Sequence, residues 1–154
     1  MFVDANIFIN WMAARRSMSI DDALCGYILK RIMDGETAVT STLVKDEVLI
    51  WLSRYKASAL DKFIKAIRMM PTLIIEEPTL EDEEFAIKNF GRYNLGISDL
   101  INLGMIKRLK LEGIYTLDKG FLSTGIKVVF YELKEEDGFK AFIEKLRKRG
   151  YLVK

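Results

Sequence analysis

The chain has 154 residues, about half of them apolar, with a formal net charge of +2, one cysteine and no histidine. That length suits one domain with a single core, needing neither a disulfide nor a structural zinc. Without histidine there is no Ser-His-Asp or Cys-His site, no imidazole zinc ligand and no histidine general base, so any bound metal must take oxygen ligands.

In chain order, the apolar opening over residues 2–4 reads as a short strand that hands over to a helix and leaves Asp4 at its mouth. Helical spacing follows over 20–33, where the lone Cys25 falls among apolar residues and reads as a buried packing residue. Strands are expected over 37–40, 72–75, 114–117 and 127–130, and helices over 42–55, 58–69, 79–89 and 98–111. Thr79 reads as a helix N-cap. Residues 135–149 place Phe139, Phe142, Ile143 and Leu146 opposite a charged face, an amphipathic helix that caps the core, joins a dimer seam or lays its basic face on nucleic acid. Strands alternating with helices predict a parallel sheet covered on both faces. No linker or repeat divides the chain, so 1–154 is expected to be one domain with 132–154 as a C-terminal helical extension. No apolar run approaches the roughly 18 residues needed to span a bilayer, and the start lacks a leader pattern, which places the chain in the cytoplasm.

Four acids stand out against this pattern. Asp4 and Asp118 end predicted strands, the edge of a parallel sheet where ligands bind. Each has a plain alternative: Asp4 or Asn6 caps the next helix, and Asp118 starts a turn. Glu47 falls between Leu43, Val44 and Trp51 on a helical wheel and is expected to look into the fold, whereas Asp46 points away. Asp99 shares a face with Leu103 and Ile106 in a first helical turn that Ser98 can cap, and capping alone is its alternative role. Glu76 and Glu77, and the run Glu81, Asp82, Glu83 and Glu84, read as solvated or helix-start acids. Carboxylates gathered in one crevice repel one another unless a divalent cation sits between them, and all-oxygen ligation selects Mg²⁺ or Mn²⁺. Such a centre suits phosphodiester hydrolysis. Arg15, Arg16, Lys45, Arg54, Lys56, Arg92 and Lys119 are candidates for an RNA backbone path, with ordinary solvated surface as the alternative. Tyr93 either stacks on a base or packs.

The motifs Val3-Asp4-Ala5-Asn6, Thr40 to Glu47, Ser98-Asp99-Leu100-Ile101 and Tyr115 to Phe121 resemble, in order and spacing, those of the PIN-domain nucleases, and most nearly the VapC-like toxins of prokaryotes. The resemblance spans residues 1 to 131. It implies a Rossmann-like three-layer α/β sandwich with a mostly parallel five-stranded sheet, a Mg²⁺ or Mn²⁺ centre, and endoribonuclease activity leaving a 5′-phosphate and silenced by a co-encoded antitoxin. By position it implies Asp4, Glu47, Asp99 and Asp118 as catalytic metal ligands, with Asn6 and Thr116 orienting them. Family members often carry Thr or Ser where Ala5 stands, so one hydroxyl contact is missing here. A homodimer is the expected assembly. The rival readings are a non-catalytic scaffold that binds RNA or protein and, from another class, a Mg²⁺-dependent phospho-aspartate protein. Asn6 argues against the latter, since a haloacid-dehalogenase-like site resembling this one wants a second aspartate there.

Overall fold

The computed structural model describes residues Met1–Lys154. Strand β1 (Phe2–Val3) leads into α1 (Ala5–Ala13), then β2 (Ser17–Met18), α2 (Ile20–Met33), β3 (Ala38–Ser41) and α3 (Thr42–Tyr55). A 3₁₀ turn opens α4 (Leu60–Arg68), followed by β4 (Leu73–Glu76), α5 (Leu80–Asn89), α6 (Ile97–Arg108) and β5 (Gly113–Tyr115). Further 3₁₀ turns bracket β6 (Lys127–Val129) before α7 (Asp137–Lys148) and β7 (Leu152–Val153). The main sheet runs in the order β4-β3-β1-β5-β6, all neighbours parallel, with helices around it.

The central position of β1 follows from its composition. Phe2 and Val3 are fully buried, as a strand covered on both faces requires, and all of β3 is buried too. The edge strands β4 and β6 carry exposed residues. Because β1 and β5 are adjacent, the backbone N–H of Asp4 still reaches the carbonyl of Tyr115 at 3.1 Å, and the chain leaves both strands at one edge.

Local chemistry sets the helix ends. Ser19 with Asp22, and Thr79 with Asp82, form reciprocal capping boxes at α2 and α5. The helix expected over 98–111 instead spans Ile97–Arg108, because Lys110 turns to φ 53° and lets the Leu111 N–H close back onto Ile106. Gly96 takes the N-cap position of α6 with no side-chain cap, so Ser98 does not cap it as expected. In mid-α2, Gly26 is required by close approach: a Cβ there would lie 2.4 Å from the Trp11 ring. Cys25 has no exposed surface, and burial pushes its thiol pKa up, which leaves it inert.

Helix α7 closes over α2 with Phe139, Phe142, Ile143 and Leu146 buried, each stabilising the fold by roughly 1.5–3 kcal/mol. Phe142 packs on Trp11 with ring centroids 6.0 Å apart, and Phe139 on Tyr27 at 5.6 Å. Beyond it, β7 pairs in parallel with β2, a ribbon of two-residue strands that no periodicity could have announced. No helix is long and apolar enough to cross a membrane.

One acid of the run Glu81, Asp82, Glu83 and Glu84 takes the helix-start role expected of it but is buried and not solvated. Asp82 is 2% exposed and accepts from Arg108 Nε at 3.0 Å and Nη2 at 2.9 Å while capping α5 through the Thr79 N–H. Burial alone would raise its pKa, but these donors hold it below the usual carboxylate range. The pair therefore contributes stability above the ordinary carboxylate pKa of 3.8, lost as pH falls further. Arg108→Ala is expected to cost about 2 kcal/mol in urea unfolding at neutral pH, with the deficit shrinking toward pH 3. An equal deficit at both pH values would show that Arg108 acts through packing alone.

Candidate active site

Asp4 sits where β1 ends and α1 begins, and it caps α1: its Oδ1 accepts from the Ala5 N–H at 2.7 Å. Its Oδ2 accepts from Thr116 Oγ1 at 2.6 Å and Asn6 Nδ2 at 3.0 Å. The Thr116 hydroxyl is the hub, because it also accepts from Asn6 Nδ2 at 3.0 Å and from the Asp118 N–H at 2.9 Å. Asn6 Oδ1 in turn accepts from the Leu117 N–H at 3.2 Å. The end of β1 and the segment after β5 are thus sewn together by side chains where the ladder stops.

Asp118 starts a 3₁₀ turn, its Oδ1 accepting from the Gly120 N–H at 2.8 Å. Gly120 has no room for a side chain, since a Cβ would lie 2.4 Å from the Asn94 carbonyl oxygen. The turn foreseen for Asp118 and its place in the acidic group therefore coexist, as do capping and clustering for Asp4.

Glu47 on α3 and Asp99 on α6 complete the group. Asp99 is half-buried, and its carboxyl pKa is pushed up to about 7, first by burial and then by the charges of Asp4, Asp118 and Glu47, with a Gly96 backbone contact offsetting a little. Asp4 is 4% exposed; burial raises its pKa, its hydrogen bonds oppose that, and Asp118 adds repulsion. Glu47 is exposed and not buried in the fold as its helical wheel suggested, although partial desolvation and the Asp4 charge still raise its pKa. Water screens that effect. The four acids share one electrostatic field, and no three acidic or thiol side chains stand at metal-holding distance. Neither the hollow lined by Trp11, Met12 and Lys56 nor the one lined by Phe8, Phe63 and Phe142 includes any of the four.

The cations fare unevenly. Lys45 pairs with Asp46 at 3.1 Å, Lys56 donates to the Met12 carbonyl at 2.6 Å, and Arg92 lies over Tyr93 at 5.4 Å, which ties Tyr93 to packing with a neighbour. Arg54 and Lys119 are exposed, the latter beside Asp118. Arg15 and Arg16 lie past the far end of α1, about 13 Å along the helix from Asp4, so they do not join the acids at one mouth.

Ser41 and Asn102 were not foreseen. The Ser41 hydroxyl caps α3 by accepting from the Val44 N–H at 2.9 Å and donates to Asn102 Oδ1 at 2.7 Å, both residues being buried. This link fixes the helix bearing Glu47 against the helix bearing Asp99. The available signal was a lone polar Asn102 between Ile101 and Leu103.

Residues 1–127 match the family described as PIN domain. The chain belongs to the PIN-domain family. No curated protein sequence matches it. Among solved structures, this PIN domain is similar to Mycobacterium tuberculosis VapC20, described as a sarcin-ricin loop cleaving toxin, at 20% identity and TM-score 0.66, over 84% of this chain and 98% of that one. A toxin-antitoxin complex from Klebsiella pneumoniae matches at 21% identity and TM-score 0.61, over 83% and 94% respectively. VapBC2 from Rickettsia felis, bound to a fragment of promoter DNA, matches at 12% identity and TM-score 0.59, over 83% and 96%. At these identities the likeness is one of fold, and it confirms the expected PIN-like α/β architecture.

A carboxyl titrating near 7 in the folded chain and near 3.8 when unfolded costs stability as pH rises between those values. In EDTA, Asp99→Asn is expected to raise Tm by about 2–4 °C at pH 8 and to leave it unchanged near pH 4, read by differential scanning calorimetry. A lowered Tm at pH 8 would show that Asp99 supports the fold instead of straining it.

Proposed function

We propose that this PIN domain is a divalent-cation-dependent endoribonuclease that hydrolyses RNA phosphodiester bonds in the cytoplasm as the toxin of a toxin-antitoxin pair. The observation that carries the reading is the convergence of Asp4, Glu47, Asp99 and Asp118, brought from four separate elements close enough to charge one another, which together with burial holds Asp99 near pKa 7. A fold gains nothing from that repulsion unless a ligand relieves it.

The donor set is made of carboxylate oxygens, which suits Mg²⁺ or Mn²⁺, and Asp4, Glu47, Asp99 and Asp118 are the residues that would hold it. When bound, such an ion lowers the pKa of a coordinated water and neutralises charge on the phosphoryl oxygens. The chain's own residues prepare for this. Thr116 and Asn6 occupy both acceptor directions of Asp4 Oδ2 and Ala5 one of Oδ1, leaving a single lone pair of Oδ1 free to face a cation. The missing hydroxyl at Ala5 takes no part in this count, because position 5 contributes through its backbone N–H. Lys119, exposed next to Asp118, is placed to meet a phosphate, and the product end is a 5′-phosphate. An antitoxin partner is supported by the toxin-antitoxin complexes among the structural neighbours. A homodimer is supported by Leu80 and Ile87, exposed two turns apart on α5. Residues 132–154 are best treated as an extension folded onto the PIN domain.

Incubation of purified protein with a panel of single-stranded RNAs and Mn²⁺ or Mg²⁺ is expected to give cleavage that EDTA and Asp99→Asn each abolish. Thr116→Val, which frees Asp4 to rotate, is expected to lower the rate about 10–100-fold. Metal-independent cleavage, or none with any RNA, would refute the reading. Because the Asp99 proton must leave before a cation is held, apparent Mn²⁺ affinity by calorimetry is expected to fall steadily as pH drops below about 7.

A further inference from the structure

The last ten residues, 145–154, carry five cations and no acid, so the rest of a chain whose net charge is only +2 is net negative. Helix α7 ends in this stretch, and the ribbon then carries it onto the loop after α1. There Leu152 N–H donates to the Arg16 carbonyl at 2.7 Å, Lys154 N–H to that of Met18 at 3.0 Å, and a Cβ on Gly150 would lie 3.3 Å from Arg16 Nη1. The pairing of β2 with β7 thus brings Arg15 and Arg16 alongside the segment that carries Arg149 and Lys154, with Lys148 in the last turn of α7 just before it, all exposed and none in an ion pair. Favourable interaction with the C-terminal dipole of α7 explains Lys145 and Lys148 but not Arg15, Arg16 or Lys154. Beside these cations lies a cavity of about 230 Å³ lined by Trp11 and Tyr151 together with Ser58, Lys56 and Lys62.

We propose that this surface is a second contact site for single-stranded RNA, its cations following the phosphodiester backbone and its Trp11–Tyr151 hollow receiving a base, one α1 length away from the acidic cluster. Unpaired cations beside a hollow with two aromatic walls fit a strand that carries a phosphate and a ring in every unit better than a run of Asp and Glu, which brings charge without rings. Self-repulsion among these neighbouring cations is relieved by a polyanion. The proposal rests on the ribonuclease reading for its choice of RNA, and its function there would be to hold a long substrate while the acids act on a distant bond.

The test is binding without turnover. With the Asp99→Asn protein, anisotropy of a fluorescein-labelled 30-nucleotide single-stranded RNA is followed against KCl concentration, with and without the added changes Arg15→Ala, Arg16→Ala, Lys148→Ala and Lys154→Ala. Each lost phosphate contact reduces the log–log salt slope by about 0.7, so the four changes are expected to lower it by about 2–3 and to weaken binding at least tenfold at low salt. Lys154→Ala alone, at a side chain beyond α7 with no hydrogen bond or ion pair, is expected to weaken binding severalfold with Tm unchanged. With the acids intact, the four changes are expected to slow cleavage of the long RNA but not of a six-nucleotide one. Unchanged affinity and slope in the variants, or no RNA binding by the parent protein, would overturn the proposal. Patch-dependent binding by a protein that cleaves no RNA would instead sink the ribonuclease reading and leave this surface standing.

Discussion

The hydrogen bond from the Thr116 hydroxyl to Asp4 is the interaction on which the site depends. A carboxylate only 4% exposed, with three other acids in its field, would be expelled or protonated without donors of its own. Thr116 supplies one, Asn6 a second and the α1 backbone a third, and Thr116 uses its remaining capacity to hold the Asp118 N–H. One hydroxyl therefore sets two of the four acids relative to each other. It can do so because β1 and β5 are neighbours in a parallel sheet, which delivers both chain ends to one edge.

Concentrating negative charge at that edge makes local stability and ligand binding oppose each other. Asp99 illustrates the conflict. Its helix places it on the inward face, where Leu103 and Ile106 secure the helix, while its carboxyl meets the repulsion of three acids. The buried Ser41–Asn102 contact and the capping of α3 hold the surrounding helices in place against that repulsion. Asp82 shows the opposite solution for a buried acid, a bidentate arginine, and its pKa moves the other way.

Most of the architecture was legible because it rests on periodicity. Helices α2 and α3 have the bounds their apolar spacing predicts, and the strands differ by a residue or so at their ends. Asp4 and Asp118 were legible from their position after strands, and the motif order gave the family. What escaped were features with no period: the β2–β7 pairing between residues 135 apart, the Lys110 turn that ends α6, the Asp82–Arg108 pair and the Asn102 contact. Glu47 escaped differently. A helical wheel places its direction correctly relative to Val44 and Val48 but says nothing of how far a flexible side chain reaches past the rim into water.

The four acids are anchored by unequal means. Asp4 and Asp118 follow adjacent strands whose separation is fixed by backbone pairing and then locked by Thr116, whereas Glu47 and Asp99 are carried by two helices joined by the Ser41–Asn102 contact and by packing. One side of the site is therefore set by the sheet and the other by helix packing, so a change at the strand ends displaces the first pair of acids together.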